Sequence, residues 1–253
     1  MAASTFAFRR PEDTAHLDLM RAALSEFIST LIFVFASEGS ALALDIGKMP
    51  NDTSPASNLV AVALAHALSL FVAVAIASDN WDGHVNPAVT FGALVSGRVS
   101  LFRSFFYWVA QILGAIVASL LLRIATAGLR PVGFSVASGI GVWNAVVLEI
   151  VMTFGLVYTV YATGSVTNKA RTGILAPLAI GSIVGANILT GGRFDGASMN
   201  PARAFGPALV GRRWKNHWIY WVGPFVGAAI ASGVYKIQQY SPRPDQPSAP
   251  QAY

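Results

Sequence analysis

The sequence predicts an all-α membrane protein of six transmembrane helices plus two half-helices in two inverted repeats, and three observations carry that reading. Composition is the first: 54% of the residues are hydrophobic and 11% charged, against about 25% charged in an average soluble domain. The second is six nearly uncharged stretches at Ala22–Leu44, Asn58–Ser78, Ser104–Leu122, Val142–Thr163, Thr172–Gly192 and Asn216–Tyr235. Each is close to the ~20 residues a helix needs to cross a hydrocarbon core ~30 Å thick. The third is a heptapeptide that occurs twice, as Asn86-Pro-Ala-Val-Thr-Phe-Gly92 and as Asn200-Pro-Ala-Arg-Ala-Phe-Gly206.

Residues 1–20 are polar and are expected on the cytoplasmic side. Arg9, Arg10, Glu12, Asp13 and Arg21 precede the first apolar run without an early cleavage site, so that run reads as an uncleaved anchor. The membrane domain is expected over 21–238, with repeat one at about 21–125 and repeat two at about 142–238, followed by a proline-rich tail over 239–253. Each heptapeptide opens a helix, because Asn is a favoured N-cap and Pro fits the first helical position. The run from Pro87 to Ser96 would rise about 15 Å, half of a hydrocarbon core, so two such pieces meeting at their Asn caps make one crossing.

The repeat extends beyond the heptapeptide. Glu26-Phe-Ile-Ser-Thr30 matches Glu149-Ile-Val-Met-Thr153, and Tyr107-Trp-Val-Ala matches Tyr220-Trp-Val-Gly. Each half holds three helices and a half-helix, and an odd number of crossings makes the second half enter from the opposite side. The half-helices then bring two positive N-terminal ends together at the centre. Non-helical backbone at that depth is tolerated only where it lines water or is buried in protein, which a water-filled pore satisfies. Tyr107, Trp108, Trp143, Trp214, Trp218, Tyr220 and Trp221 fall near helix ends and read as interfacial anchors. Small residues at spacing four, Ala110/Gly114, Gly181/Gly185 and Gly223/Gly227, allow close helix approach.

Other classes are excluded. The net charge of +5 is scattered among the loops with no basic stripe or RNA-binding motif, so the partner is the lipid bilayer and not nucleic acid. The Lys/Arg balance between the two faces is too even to orient the chain. No cysteine is present, and no metal-ligand spacing, catalytic triad or phosphate-binding loop appears, so neither an enzyme nor a cofactor nor a metal is expected.

Asn86-Pro87-Ala88 and Asn200-Pro201-Ala202 are the central candidates. An Asn cap uses its side-chain oxygen, leaving the NH2 to point into the lumen and hold a water by its oxygen. Arg203 follows in the first turn of the second half-helix, where a cation opposes the helix dipole; its counterpart is Val89, so the fold does not demand the charge. Glu26 and Glu149 occupy matched positions and read as acceptors for the irregular N–H groups ahead of each half-helix. His66 is either a packed helix histidine or part of the site.

The double Asn-Pro-Ala box, the Glu-Phe-Ile-Ser-Thr opening and Gly196-Ala-Ser-Met-Asn-Pro-Ala-Arg-Ala-Phe-Gly206 resemble the aquaporin family. His84-Val-Asn-Pro-Ala-Val-Thr-Phe-Gly92, Gly185-Ala-Asn-Ile-Leu189 and Asn216-His-Trp-Ile-Tyr-Trp-Val-Gly223 are similar to plant tonoplast intrinsic proteins. Gly128-Leu-Arg-Pro-Val-Gly-Phe134 and Asp195-Gly-Ala-Ser-Met199 look most like the seed-type (alpha) branch. The resemblance implies a homotetramer of independent pores in the vacuolar membrane, with both termini cytoplasmic. It implies passage of water, with glycerol, urea, hydrogen peroxide and ammonia, and exclusion of protons and ions. It also implies a filter at His66, Ile188, Ala197 and Arg203, with Phe134 as a third-loop contact where some relatives carry histidine. Pore diameter, lining donors, an arginine and half-helix dipoles are the devices credited to this family. Asp79, Trp81 and Asp82 depart from its usual small residues and read either as modulators of the cytoplasmic mouth or as solvated loop. The alternatives are a solute facilitator with water secondary and an ion-coupled secondary transporter.

Overall fold

The computed structural model describes residues 7–10, 13, 16–44, 56–78, 83–164 and 173–239. Among these the regular structure is helical: α1 (His16–Ala43), α2 (Ala56–Ser78), α3 (Pro87–Val95), α4 (Leu101–Ala125), α5 (Val142–Thr163), α6 (Leu175–Gly191), α7 (Pro201–Gly211) and α8 (Ile219–Gln239). The two half-helices are α3 and α7, of 9 and 11 residues. Four of the long helices, α1, α2, α4 and α5, are long and apolar enough to cross a membrane; α6 is apolar but 17 residues long. The expected stretch Thr172–Gly192 is represented by α6, and Thr172 itself lies outside the described residues. So do Asp79, Trp81, Asp82 and the tail from 240 onward.

Several helices run past the uncharged stretches that announce them. α4 starts at Leu101, where the Ser100 side chain caps the Arg103 N–H at 3.0 Å, and continues past Arg123 to Ala125. Uncharged runs mark what sits in hydrocarbon, whereas caps and backbone hydrogen bonds mark where a helix ends, and these differ by a turn. The N-terminal segment is also more tied down than a polar tail. Ala7 and Phe8 carbonyls accept from the Leu101 and Phe102 amides, and Asp13 accepts from Arg103 Nε at 3.2 Å. Burial works against ionisation of Asp13, but hydrogen bonds from Ser100, the Arg10 amide and Arg103 outweigh it and leave its carboxyl below the ordinary range.

The two repeats interlock. α1 packs along α4 and α5 along α8, the same pairing in each half, while α2 and α6 pack against each other across the repeats. Each half-helix lies against the last helix of the other repeat, α3 on α8 and α7 on α4. Glycines permit the closest approaches. A β-carbon at Gly114 would stand 2.5 Å from the Phe27 carbonyl of α1, and its repeat mate Gly227 would press on the Ile150 carbonyl of α5. A β-carbon at Gly233, on the same helix as Gly227, would meet nothing within 4 Å. Gly227→Ala should therefore lower the melting temperature of the purified protein. Gly233→Ala should leave it unchanged or raise it, since Ala is favoured over Gly in a helix by about 0.8–1.0 kcal/mol. Equal loss in both would show that α8 does not rest on α5 through Gly227.

Candidate functional site

The site begins with two irregular turns. Gly83 and Val85 have φ of 64° and 56°, and their repeat mates Ala197 and Met199 have 49° and 54°. Left-handed backbone at a β-branched residue such as Val85 is strained by about 1–3 kcal/mol and persists only when the surroundings impose it. The two glutamates impose it here. Glu26 accepts from the His84 and Val85 amides at 2.6 and 2.7 Å, and Glu149 from the Ser198 and Met199 amides at 2.6 and 2.7 Å. Both carboxylates are fully buried. Gln111 Nε2 adds a further bond to Glu26 at 2.7 Å.

Just beyond each turn stands an Asn cap. Asn86 Oδ1 accepts from the Ala88 amide at 2.8 Å, and Asn200 Oδ1 from the Ala202 and Arg203 amides at 3.0 and 3.2 Å. Pro87 and Pro201 occupy the first turn of each half-helix and, like Ala88 and Ala202, are buried. The side-chain amides differ from the sequence expectation. Asn86 Nδ2 donates to the Met199 carbonyl at 2.8 Å, and Asn200 Nδ2 to the Val85 carbonyl at 2.9 Å. Each cap therefore binds the opposite turn with one N–H and has one N–H left, not a whole free NH2. The left-handed turns cause this, because a residue whose amide faces its glutamate sends its carbonyl toward the other tip. Asn86 and Asn200 both line a cavity whose other walls include Phe33, Leu70, Val89 and Val184.

A second cluster surrounds Arg203, which is 3% exposed. Its Nη1 donates to the Ala197 and Ser198 carbonyls at 2.8 and 3.2 Å. Its Nε donates to Glu38 at 3.1 Å, and its Nη2 meets His66 Nε2 at 2.5 Å. The guanidinium carbon lies 4.7 Å from the centre of the Phe134 ring, a cation–π contact. Gly196 makes room for that ring, since a β-carbon there would stand 2.6 Å from Phe134 Cδ1. His66 Nδ1 faces the Val62 carbonyl at 2.7 Å. A carbonyl only accepts and a guanidinium only donates, so His66 is the neutral tautomer with its proton on Nδ1. Both ring nitrogens are thus engaged by protein. His66, Ala197, Phe134 and Arg203 come together, with Ala197 contributing its carbonyl. Ile188 is buried on α6 in the apolar cluster that also holds Val184, Met152 and Ala197.

Two buried acids escape a reading that looks for matched glutamates. Asp195 Oδ1 accepts from the Ala197 amide at 2.8 Å, and its own carbonyl accepts from Tyr220 OH at 2.8 Å. Glu38 was detectable in principle, because it is a charge within the first apolar run whose repeat mate, Tyr161, is uncharged. That is the same asymmetry that marks Arg203. Among the described residues no group of metal-ligating side chains occurs.

A family profile described as Major intrinsic protein matches residues 13–235. The chain belongs to the major intrinsic protein family. It is 60% identical over 254 residues to "Aquaporin TIP3-1" of Zea mays, covering 98% of this chain and 96% of that protein. It is 56% identical to "Probable aquaporin TIP3-2" of Arabidopsis thaliana, covering 100% and 98%. "Probable aquaporin TIP-type alpha" of Phaseolus vulgaris is 53% identical over the full length of both chains. The fold is shared with the X-ray structure of the aquaglyceroporin from Plasmodium falciparum, at a TM-score of 0.68 and 22% identity, covering 86% of this chain and 95% of that one. In this major intrinsic protein the paired Asn tips and the arginine cluster are thus laid on the family's fold by residues from both repeats.

Proposed function

We propose that the chain is a passive, bidirectional water channel of the vacuolar membrane that also passes small neutral solutes and excludes protons and ions. The observation that carries this is the reciprocal arrangement of Asn86 and Asn200, each tied to the opposite turn by one N–H and keeping one for the cavity. A water between the tips accepts from these donors and sits at the positive ends of two half-helices. Its hydrogens then point away along the pore, so it cannot relay a proton from one neighbour to the next. The names of its relatives, aquaporins of the TIP type, support the water function and the vacuolar membrane. We place His66, Ile188, Ala197 and Arg203 at the selectivity filter, and assign the assembly as a homotetramer.

Stopped-flow light scattering on proteoliposomes under water and glycerol gradients tests the reading. Water permeability well above that of empty vesicles is expected, and its absence would end it. Glycerol flux with little water flux would instead favour a solute facilitator. The chain has no cysteine, so HgCl2 should leave its water permeability intact; thiol-reversible inhibition in the purified system would contradict the assignment of the pore lining.

A further inference from the structure

Arg203 and Glu38 are both buried charges without charged mates in the other repeat, where Val89 and Tyr161 stand. They meet as a buried ion pair at 3.1 Å, each side chain 4% exposed. We propose that Glu38 is a specificity-determining positioning residue that fixes the aim of Arg203 in the constriction, an inference that rests on the pore reading above.

A guanidinium has five N–H bonds in a rigid plane. Ala197 and Ser198 take those of Nη1, His66 takes one of Nη2, and Glu38 takes Nε. One N–H of Nη2 remains for a solute. The partners differ in what they can enforce. Ala197 and Ser198 belong to the turn that leads into α7, in the same repeat as Arg203, and Glu149 of α5 holds that turn through the Ser198 amide. His66 on α2 and Glu38 on α1 tie the guanidinium to the other repeat. Glu38 holds the Nε edge while Phe134 covers the face of the plane. Without the carboxylate, the Nε edge loses its partner and the group can turn about its last side-chain bonds, changing how many N–H bonds reach the lumen. Burying an unpaired cation is also costly, so the pair keeps the arginine inside the wall.

The test uses the full-length parent, Glu38→Ala, Glu38→Gln, Arg203→Val and the double variant Glu38→Ala/Arg203→Val. Each is measured in proteoliposomes for water, glycerol and urea flux, and in detergent for melting temperature. Glu38→Ala should shift the solute-to-water permeability ratio by about two- to tenfold, the rate equivalent of one hydrogen bond gained or lost in transit. Glu38→Gln, whose amide oxygen can still accept from Nε, should restore the parent ratio. On the Arg203→Val background, Glu38→Ala should leave the ratio unmoved. An unchanged ratio in Glu38→Ala, a Gln variant that behaves like the Ala variant, or a shift that persists without the arginine would each overturn the proposal. If the parent conducts nothing above empty vesicles, the pore reading fails and melting temperatures decide the pairing. Losses in the single variants that are not additive in the double sustain it, and additive losses overturn it.

Discussion

Glu26→Leu and Glu149→Leu should each fail to give a monodisperse, folded protein in detergent, or give one with a much lower melting temperature. Each carboxylate is the acceptor for two consecutive amides in a buried turn. Leaving two buried donors unpaired costs about 2–6 kcal/mol, which rivals the ~5–15 kcal/mol that holds a typical protein together. The left-handed backbone at Val85 and Met199 would then lose what imposes it. Once the turns relax, their carbonyls no longer meet the opposite Asn side chains, so the damage spreads to both tips. Glu26→Gln should be milder, since one oxygen still accepts. Size-exclusion profiles and thermal unfolding measure the difference; an unchanged melting temperature in either Leu variant would show that the turns hold themselves.

Ile188→His should keep substantial water permeability while lowering glycerol and urea flux by roughly 5- to 150-fold, the rate equivalent of one unmade buried hydrogen bond. Ile188 presents an aliphatic side chain buried with Val184 and Ala197, whereas the Arg203 cluster supplies the polar groups. In the proposed filter an apolar wall at Ile188 opposite the polar Arg203 cluster suits a solute with carbon on one side and hydroxyls on the other. A histidine there narrows the passage and adds a group that water can use, so a wider solute sheds more hydration than the site replaces. Proteoliposomes at equal protein density give the comparison. If the parent conducts glycerol and the variant conducts it equally well, Ile188 does not line the constriction.

The positions of α3 and α7, their Asn caps and the inverted repeat were all legible in the sequence. So were the matched glutamates and the unmatched arginine. Helix ends were less legible: α4 and α8 extend beyond their uncharged stretches because charged residues at an interface do not stop a helix. His66 could be read as packed or functional, and only its two partners show that both ring nitrogens are engaged.

By itself the sequence determined the membrane class, the two halves and the places where half-helices begin. Those features are written in local composition, in caps a few residues long and in a repeat that can be aligned with itself. Tertiary structure alone decided which groups meet: Asn86 with Met199 across 113 residues, Arg203 with His66 across 137 and with Glu38 across 165. No local propensity encodes such pairs. They follow from the interlocking of the repeats, which lays α7 against α4 and near α1, and from left-handed turns that send each carbonyl toward the opposite tip. A buried donor or acceptor takes the partner that this packing brings within reach.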